Sequence, residues 1–230
     1  MIQTTQKAII FDASTLITLA MNGLFQEFRS LKEIFKGKFL ITKEVKAEVI
    51  DRPISTKRFE LEALKIQKLL EDQIIEMPDS LGISDREVSE GTDKLLEIAN
   101  NTFEANANRI KLVDLGETSC LYLSKILTDK GIKNVVAVDE RTIRMLSEKP
   151  ENLKSLFQKK LKTRVNANTR NYDSFREFKF IRSAELVYVA YKKGLVKLKG
   201  QMVLDALLYA VKFKGCAISG DEINEIKRIK

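Results

Sequence analysis

Four acidic residues fall where short apolar runs give way to helical spacing, and together they could hold a hard metal ion. Asp12 ends the run Lys7–Phe11, and Asp139 ends Val135–Val138. Glu117 opens a strongly periodic segment after Lys111–Val113, and Glu48 sits on the helical segment that follows Phe39–Ile41. If the strands are neighbours, these carboxylates meet at one edge of a sheet. Crowded carboxylates repel unless a cation or protons intervene. An all-oxygen ligand set suits Mg2+ or Mn2+. Such an ion would acidify a bound water and neutralise charge growing on a phosphodiester.

Each acid also has a purely structural reading. Asp12 and Asp139 could be helix N-caps, a favoured role for Asp. Asp114-x-x-Glu117 matches a capping box. Glu48, beside Glu44, could face solvent. Ser14 could cap the first helix or hydrogen-bond a water in the site. Arg144 could bind phosphate or pair with Asp139 or Glu140. Phe175, Phe178, Phe180, Tyr188 and Tyr191 could stack bases, but burial in the core is the simpler expectation.

The chain contains no histidine. Ser-His-Asp and Cys-His nucleophile systems need an imidazole base, and HExxH zinc sites need imidazole ligands. Hydrolytic chemistry in this chain must therefore rest on carboxylates. A haloacid-dehalogenase-type phosphatase would need a second acid two residues after Asp12, where Ser14 stands. A P-loop or dinucleotide fold would need a glycine fingerprint, and Asp12–Leu16 has no glycine.

The elements that must position the acids alternate in type. Lys7–Phe11, Phe39–Ile41, Ile74–Met77, Lys111–Val113 and Val135–Val138 read as short strands. Helical spacing covers Leu16–Ala20, Leu24–Phe35, Glu44–Ile50, Ser55–Glu71, the stretch from Glu117 to about Lys130, Arg144 onward, Glu185–Lys193 and Met202–Phe213. A short helix begins at Asp221. Residues 84–107 look helical with few apolar positions, suggesting a partly exposed hairpin. Residues 149–178 are polar, basic and weakly periodic, which suggests a mobile insertion. Alternating strands and helices imply an α/β fold with a mainly parallel sheet covered on both faces. At 230 residues the chain reads as a single enlarged domain.

Net charge is +8, and it is uneven. Residues 71–105 hold a dense set of acids against only Arg86 and Lys94. Basic clusters gather at Lys154, Lys159, Lys160, Lys162, Arg164 and Arg170, and again at Lys192, Lys193, Lys197 and Lys199. Clustered Lys and Arg suit a polyanion by counterion release, and Lys159 and Lys160 are candidate RNA contacts. A lysine-rich solvated surface is the other reading. Two cysteines without CxxC spacing fit a reducing compartment, so a cytoplasmic location is expected. The opening MIQTTQKAIIF shows no leader pattern, and no apolar run is long enough to span a bilayer.

The acids also occur in an ordered set of motifs. Ile9-Ile10-Phe11-Asp12-Ala13-Ser14-Thr15-Leu16-Ile17 resembles the opening of PIN domains. Thr42–Val49 is similar to their second motif, with Glu48 in the acidic position. Leu115-Gly116-Glu117 and the helix after it resemble the Gly-Glu form of the third. Val136–Arg141 with Arg144 resembles the paired-acid fourth. Ala184–Gly194 and Ala206–Ser219 resemble the carboxyl end of the archaeal and bacterial PIN-like group. The resemblance implies a Rossmann-like three-layer α/β/α fold and a Mg2+- or Mn2+-dependent endoribonuclease. It places Asp12, Glu48, Glu117 and Asp139 as metal-binding and catalytic acids; Ser14 and Arg144 are the further candidate substrate contacts beside them. It also implies a homodimer and an antitoxin or RNA-processing partner. Glu140 and Glu117 stand where Asp is frequent in the family. The stretches 51–110 and 149–180 read as insertions. The competing expectation is a PIN-like module that binds RNA or protein without cutting. Its mark would be a missing acid, and all four are present.

Overall fold

A computed structural model describes residues 6–229. Residues 1–5, part of the segment read for a leader, lie outside the described residues. Lys7–Phe11 forms β1, and all but its first residue are buried. Both faces of this strand are covered, so Ala8–Phe11 is apolar throughout instead of alternating. Helices α1 (Ala13–Met21) and α2 (Phe25–Ile34) carry the chain to β2 (Lys38–Leu40). α3 (Lys43–Lys46) runs into a π-helical turn, Ala47–Asp51, followed by α4 (Glu60–Glu71) and α5 (Asp85–Asn100). Next come β3 (Phe103–Ala105), β4 (Asn108–Arg109), α6 (Leu115–Asp129) and β5 (Lys133–Ala137). α7 (Arg141–Glu148), α8 (Pro150–Leu161) and β6 (Val165–Ala167) precede β7 (Phe180–Ile181). Helices α9 (Ser183–Lys192), α10 (Val203–Phe213) and α11 (Gly220–Arg228) follow.

The main sheet has the order β2-β1-β5-β7, and every neighbouring pair is parallel. This is the mixed α/β architecture with a parallel sheet that the alternating pattern implies. From β1 the chain moves to β2 on one side, and later to β5 on the other. Such a reversal opens a crevice outside the carboxyl ends of the two strands, where ligands bind in open α/β sheets. Asp12 and Asp139 lie just past those ends. Phe11, Phe28 and Phe39 pack beneath this crevice with ring centroids 4.9–5.1 Å apart. Among the described residues, no helix is long and apolar enough to cross a membrane.

Several elements differ from expectation. Lys111–Val113 is not a strand. The Asn100 carboxamide oxygen accepts from the amides of Leu112 (2.7 Å) and Val113 (3.3 Å), so the end of α5 holds this segment in place of a sheet neighbour. Asn100→Leu should therefore lower stability by roughly 1–3 kcal/mol, read as a shift in the urea midpoint, since it orphans two amides. Ile74–Met77 contributes only a single bridge, Glu76 to Leu40. α4 starts at Glu60 rather than Ser55, and α5 ends at Asn100.

Residues 149–178 are structured rather than a loose insertion. Leu153, Val165, Tyr172 and Phe175 are buried in the common core. The Phe103 ring lies 6.0 Å from both Phe157 and Tyr172. Strands β4-β3-β6 form a second, antiparallel sheet, so the two expected insertions are joined to each other. The partners are about sixty residues apart in sequence, which local periodicity cannot reveal.

Candidate active site

The end of β1 is locked to β5, because the Asp12 N–H donates to the Ala137 carbonyl at 2.9 Å. Asp12 is 2% exposed. Its Oδ2 accepts from the Ser14 N–H (3.0 Å) and from the Ser14 hydroxyl (2.5 Å), so it does cap α1. Ser14 Oγ in turn accepts the Asp139 N–H at 3.0 Å. One hydroxyl thus ties the two strand ends together. Burial pushes the Asp12 carboxyl up to about 7; the bonds from Ser14 oppose this, while Asp114 and Glu48 add to it.

Glu117 completes the anticipated capping box. Its N–H donates to Asp114 Oδ1, and its Oε2 accepts the Asp114 N–H, both at 3.1 Å. The cap fixes the carboxylate at the start of α6, facing Asp12. Burial first, then the charges of Asp12, Asp114 and Glu140, push Glu117 up to about 8.

Glu48 reaches the same place from the π-helical turn. Such turns re-aim side chains relative to the preceding α-helix. A hydroxyl pair, Thr42 Oγ1 and Ser119 Oγ at 2.6 Å, pins the start of α3 to α6. Gly116 then leaves room for the carboxylate. A Cβ there would meet Glu48 Oε2 at 2.8 Å. Burial raises the Glu48 carboxyl, Asp114 adds to this, and Arg52 opposes it. Gly116→Ala is expected to displace Glu48 with little change in melting temperature. Any metal-dependent activity should fall by about tenfold, since a small misplacement of a reacting group is costly.

These residues line one cavity of 250 Å³ together with Ser14, Ile17, Thr18, Asp114, Glu140, Lys214 and Gly215. Asp12, Glu48 and Glu117 are brought together as expected. Asp139 is not. Its carboxylate is fully buried and turned away, with Oδ1 accepting the Ser183 N–H at the start of α9 (2.8 Å). Its carbonyl accepts the Ala217 N–H at 3.1 Å, and among the described residues Oδ2 has no hydrogen-bond partner. Asp139 therefore holds α9 and the segment after α10 to the end of β5. Successive residues of an extended segment point to opposite sides, so it is Glu140 that reaches the cavity. Glu140→Gln should reduce metal-dependent activity with little loss of stability. Asp139→Ala should instead lower the melting temperature, costing on the order of 2–4 kcal/mol.

Arg144 makes no ion pair with Asp139 or Glu140. Its guanidinium donates to the carbonyls of Glu140 (3.2 Å) and Ala217 (2.9 Å) and lines a separate cavity of 670 Å³. Lys159 and Lys160 are exposed in the last turn of α8 and do not line the acidic cavity. Phe175 is buried, and Phe178, Phe180, Tyr188 and Tyr191 pack against the core, as the simpler reading had it. Sequence reasoning took Asp114 only as a cap, read Glu140 only as part of a paired-acid motif, and missed Lys214. The adjacent acids in Asp139-Glu140 were the available signal for Glu140. Nothing local marks Lys214, which arrives from the far end of the chain.

Apart from Lys214, the polar side-chain atoms lining the cavity are oxygens, and among the described residues its carboxylates make no ion pair, a chemistry that suits a hard divalent cation. The carboxylates line the cavity without converging on one point: among the described residues, no group of three or more His, Cys, Asp or Glu side chains is spaced to hold a metal ion. Comparison with protein-family models, with curated proteins and with solved structures gave no match.

Proposed function

We propose that this chain is a divalent-metal-dependent endoribonuclease of the PIN type, with a Rossmann-like three-layer fold and a cytoplasmic site of action. One observation carries the reading: Asp12, Glu48 and Glu117, from three separate elements, line a single cavity at the crevice between β1 and β5. Asp12, Glu48 and Glu117 would hold Mg2+ or Mn2+, with Glu140 in place of Asp139. Bound there, the ion supplies an activated water and neutralises charge on the phosphate.

The chain's own residues do the rest. Ser14 orients the Asp12 carboxylate through its two bonds and keeps the strand ends in register. The Asp114 cap holds the Glu117 carboxylate at the mouth of α6. Lys214 places a positive charge on the cavity wall, where it can meet a phosphate oxygen. The π-helical turn brings in Glu48 from the side opposite β5.

The test is cleavage of labelled RNAs of varied sequence with Mn2+, with Mg2+ and with EDTA. Metal-dependent products that vanish in EDTA support the reading. RNA binding without cleavage under any metal condition leaves an RNA-binding module and overturns the nuclease.

A further inference from the structure

Three of the four strands of the main sheet begin with a lysine and a lysine immediately precedes the fourth, at the edge opposite the acidic cavity. β2 begins at Lys38, β1 at Lys7 and β5 at Lys133, while Lys179 immediately precedes β7. The register places Lys133 level with Lys7, and Lys38 level with Ala8. Like charges directly opposite each other on neighbouring strands destabilise a sheet. Among the described residues, Lys7, Lys133 and Lys179 have no carboxylate within ion-pair distance, whereas Lys38 pairs with Glu76, which Lys32 also contacts.

Two grooves meet along this edge. One, of 310 Å³, is lined by Lys7, Lys32, Lys36, Lys38 and Glu76. The other, of 520 Å³, is lined by Lys133, Lys179, Glu177, Ser124, Thr128 and Asn134. Ile132 lines both, so the two are adjacent. Six lysines thus face two acids, and one of those acids is already committed. Both grooves are open and cationic, and the second adds the Ser124 and Thr128 hydroxyls and the Asn134 amide.

We propose that this lysine edge is a docking surface for the phosphate backbone of single-stranded RNA, the choice of RNA resting on the nuclease reading above. The surface lies one five-residue strand, about 16 Å, from the acidic cavity. It relieves the like-charge contact of Lys7 and Lys133 by counterion exchange with phosphates.

Binding of a short fluorescent single-stranded RNA is measured in EDTA across a salt series, for wild type and for the combined variant Lys7→Gln, Lys133→Gln and Lys179→Gln. The three side chains are exposed, and an unchanged melting temperature confirms the fold. The variant should bind at least about tenfold more weakly at 0.1 M salt, and its log–log salt slope should shrink by about 2, at ~0.7 per lost contact. Neutralising the exposed Lys57, Lys65 and Lys94, which line neither groove, should change affinity less than twofold. Equal affinity for wild type and the edge variant overturns the proposal, as does an equal loss in the control. Competition by polyglutamate as strong as by RNA also overturns the phosphate assignment. Because no metal is present, RNA binding at this edge by a protein that never cleaves upholds the surface while removing the nuclease.

Discussion

Asp12→Asn is expected to abolish metal-dependent RNA cleavage while making the metal-free protein more stable at pH 8. The two effects have one cause. Asp12 is fully buried, and Asp114, Glu48 and Glu117 crowd it. Ionised, it costs stability, because burial disfavours the charge and the neighbouring carboxylates repel it. The amide keeps an oxygen acceptor for the Ser14 N–H and hydroxyl, so the cap on α1 survives. Removing the buried charge should raise the unfolding free energy by on the order of 1–3 kcal/mol at pH 8. The same change deletes an anionic ligand. If the ion contributes several kcal/mol of charge stabilisation, the rate should fall by about 10²-fold or more. Single-turnover cleavage and urea melts on one preparation check both halves. A variant that loses activity and also unfolds more readily would point to a structural role alone.

Stability of the metal-free protein should fall as pH rises from about 5.5 to 8. Asp12 and Glu117 hold their protons up to about 7 and about 8 in the folded chain, against 3.8 and 4.5 as ordinary groups. In that window the folded state binds more protons than the unfolded state, so unfolding free energy declines with pH. The stability from these two protons is complete near pH 4 and lost as pH passes through the folded values. Glu222, lowered to about 2 largely by its cap bonds and Arg182, acts in the opposite sense and only in acid, so it leaves the window clear. The fall should amount to a few kcal/mol in EDTA, since each tenfold gain in proton affinity on folding is worth ~1.4 kcal/mol. The double variant Asp12→Asn, Glu117→Gln should flatten the profile. A wild-type curve that is level or rising between pH 5.5 and 8 contradicts the crowding of these acids.

The parallel sheet and the acidic ends of its strands were legible in the sequence because they rest on local signals. AIIF and VVAV are short continuous apolar runs rich in β-branched and aromatic residues, as a strand covered on both faces requires. Asp114 and Glu117 sit three apart, which the capping box demands. What failed was long-range or directional. Val165, Tyr172 and Phe175 look like isolated apolar residues until Phe103 is placed among them. Lys111–Val113 has strand composition, but the Asn100 side chain takes its amides. Asp139 and Glu140 are adjacent, and only the direction of the chain after β5 decides which faces the cavity. The lysine edge was equally hidden, because its members lie far apart until strand order and register align them.

The central proposal is that Asp12, Glu48 and Glu117, which line one cavity without being spaced as ligands in the metal-free chain, close on a single ion. Anomalous diffraction from a crystal soaked in Mn2+ tests it most directly. The account predicts a Mn2+ peak within bonding distance of the Asp12 and Glu117 carboxylates, with Asp139 uninvolved. A saturating soak that leaves this cavity without a peak, or places the ion elsewhere, contradicts it.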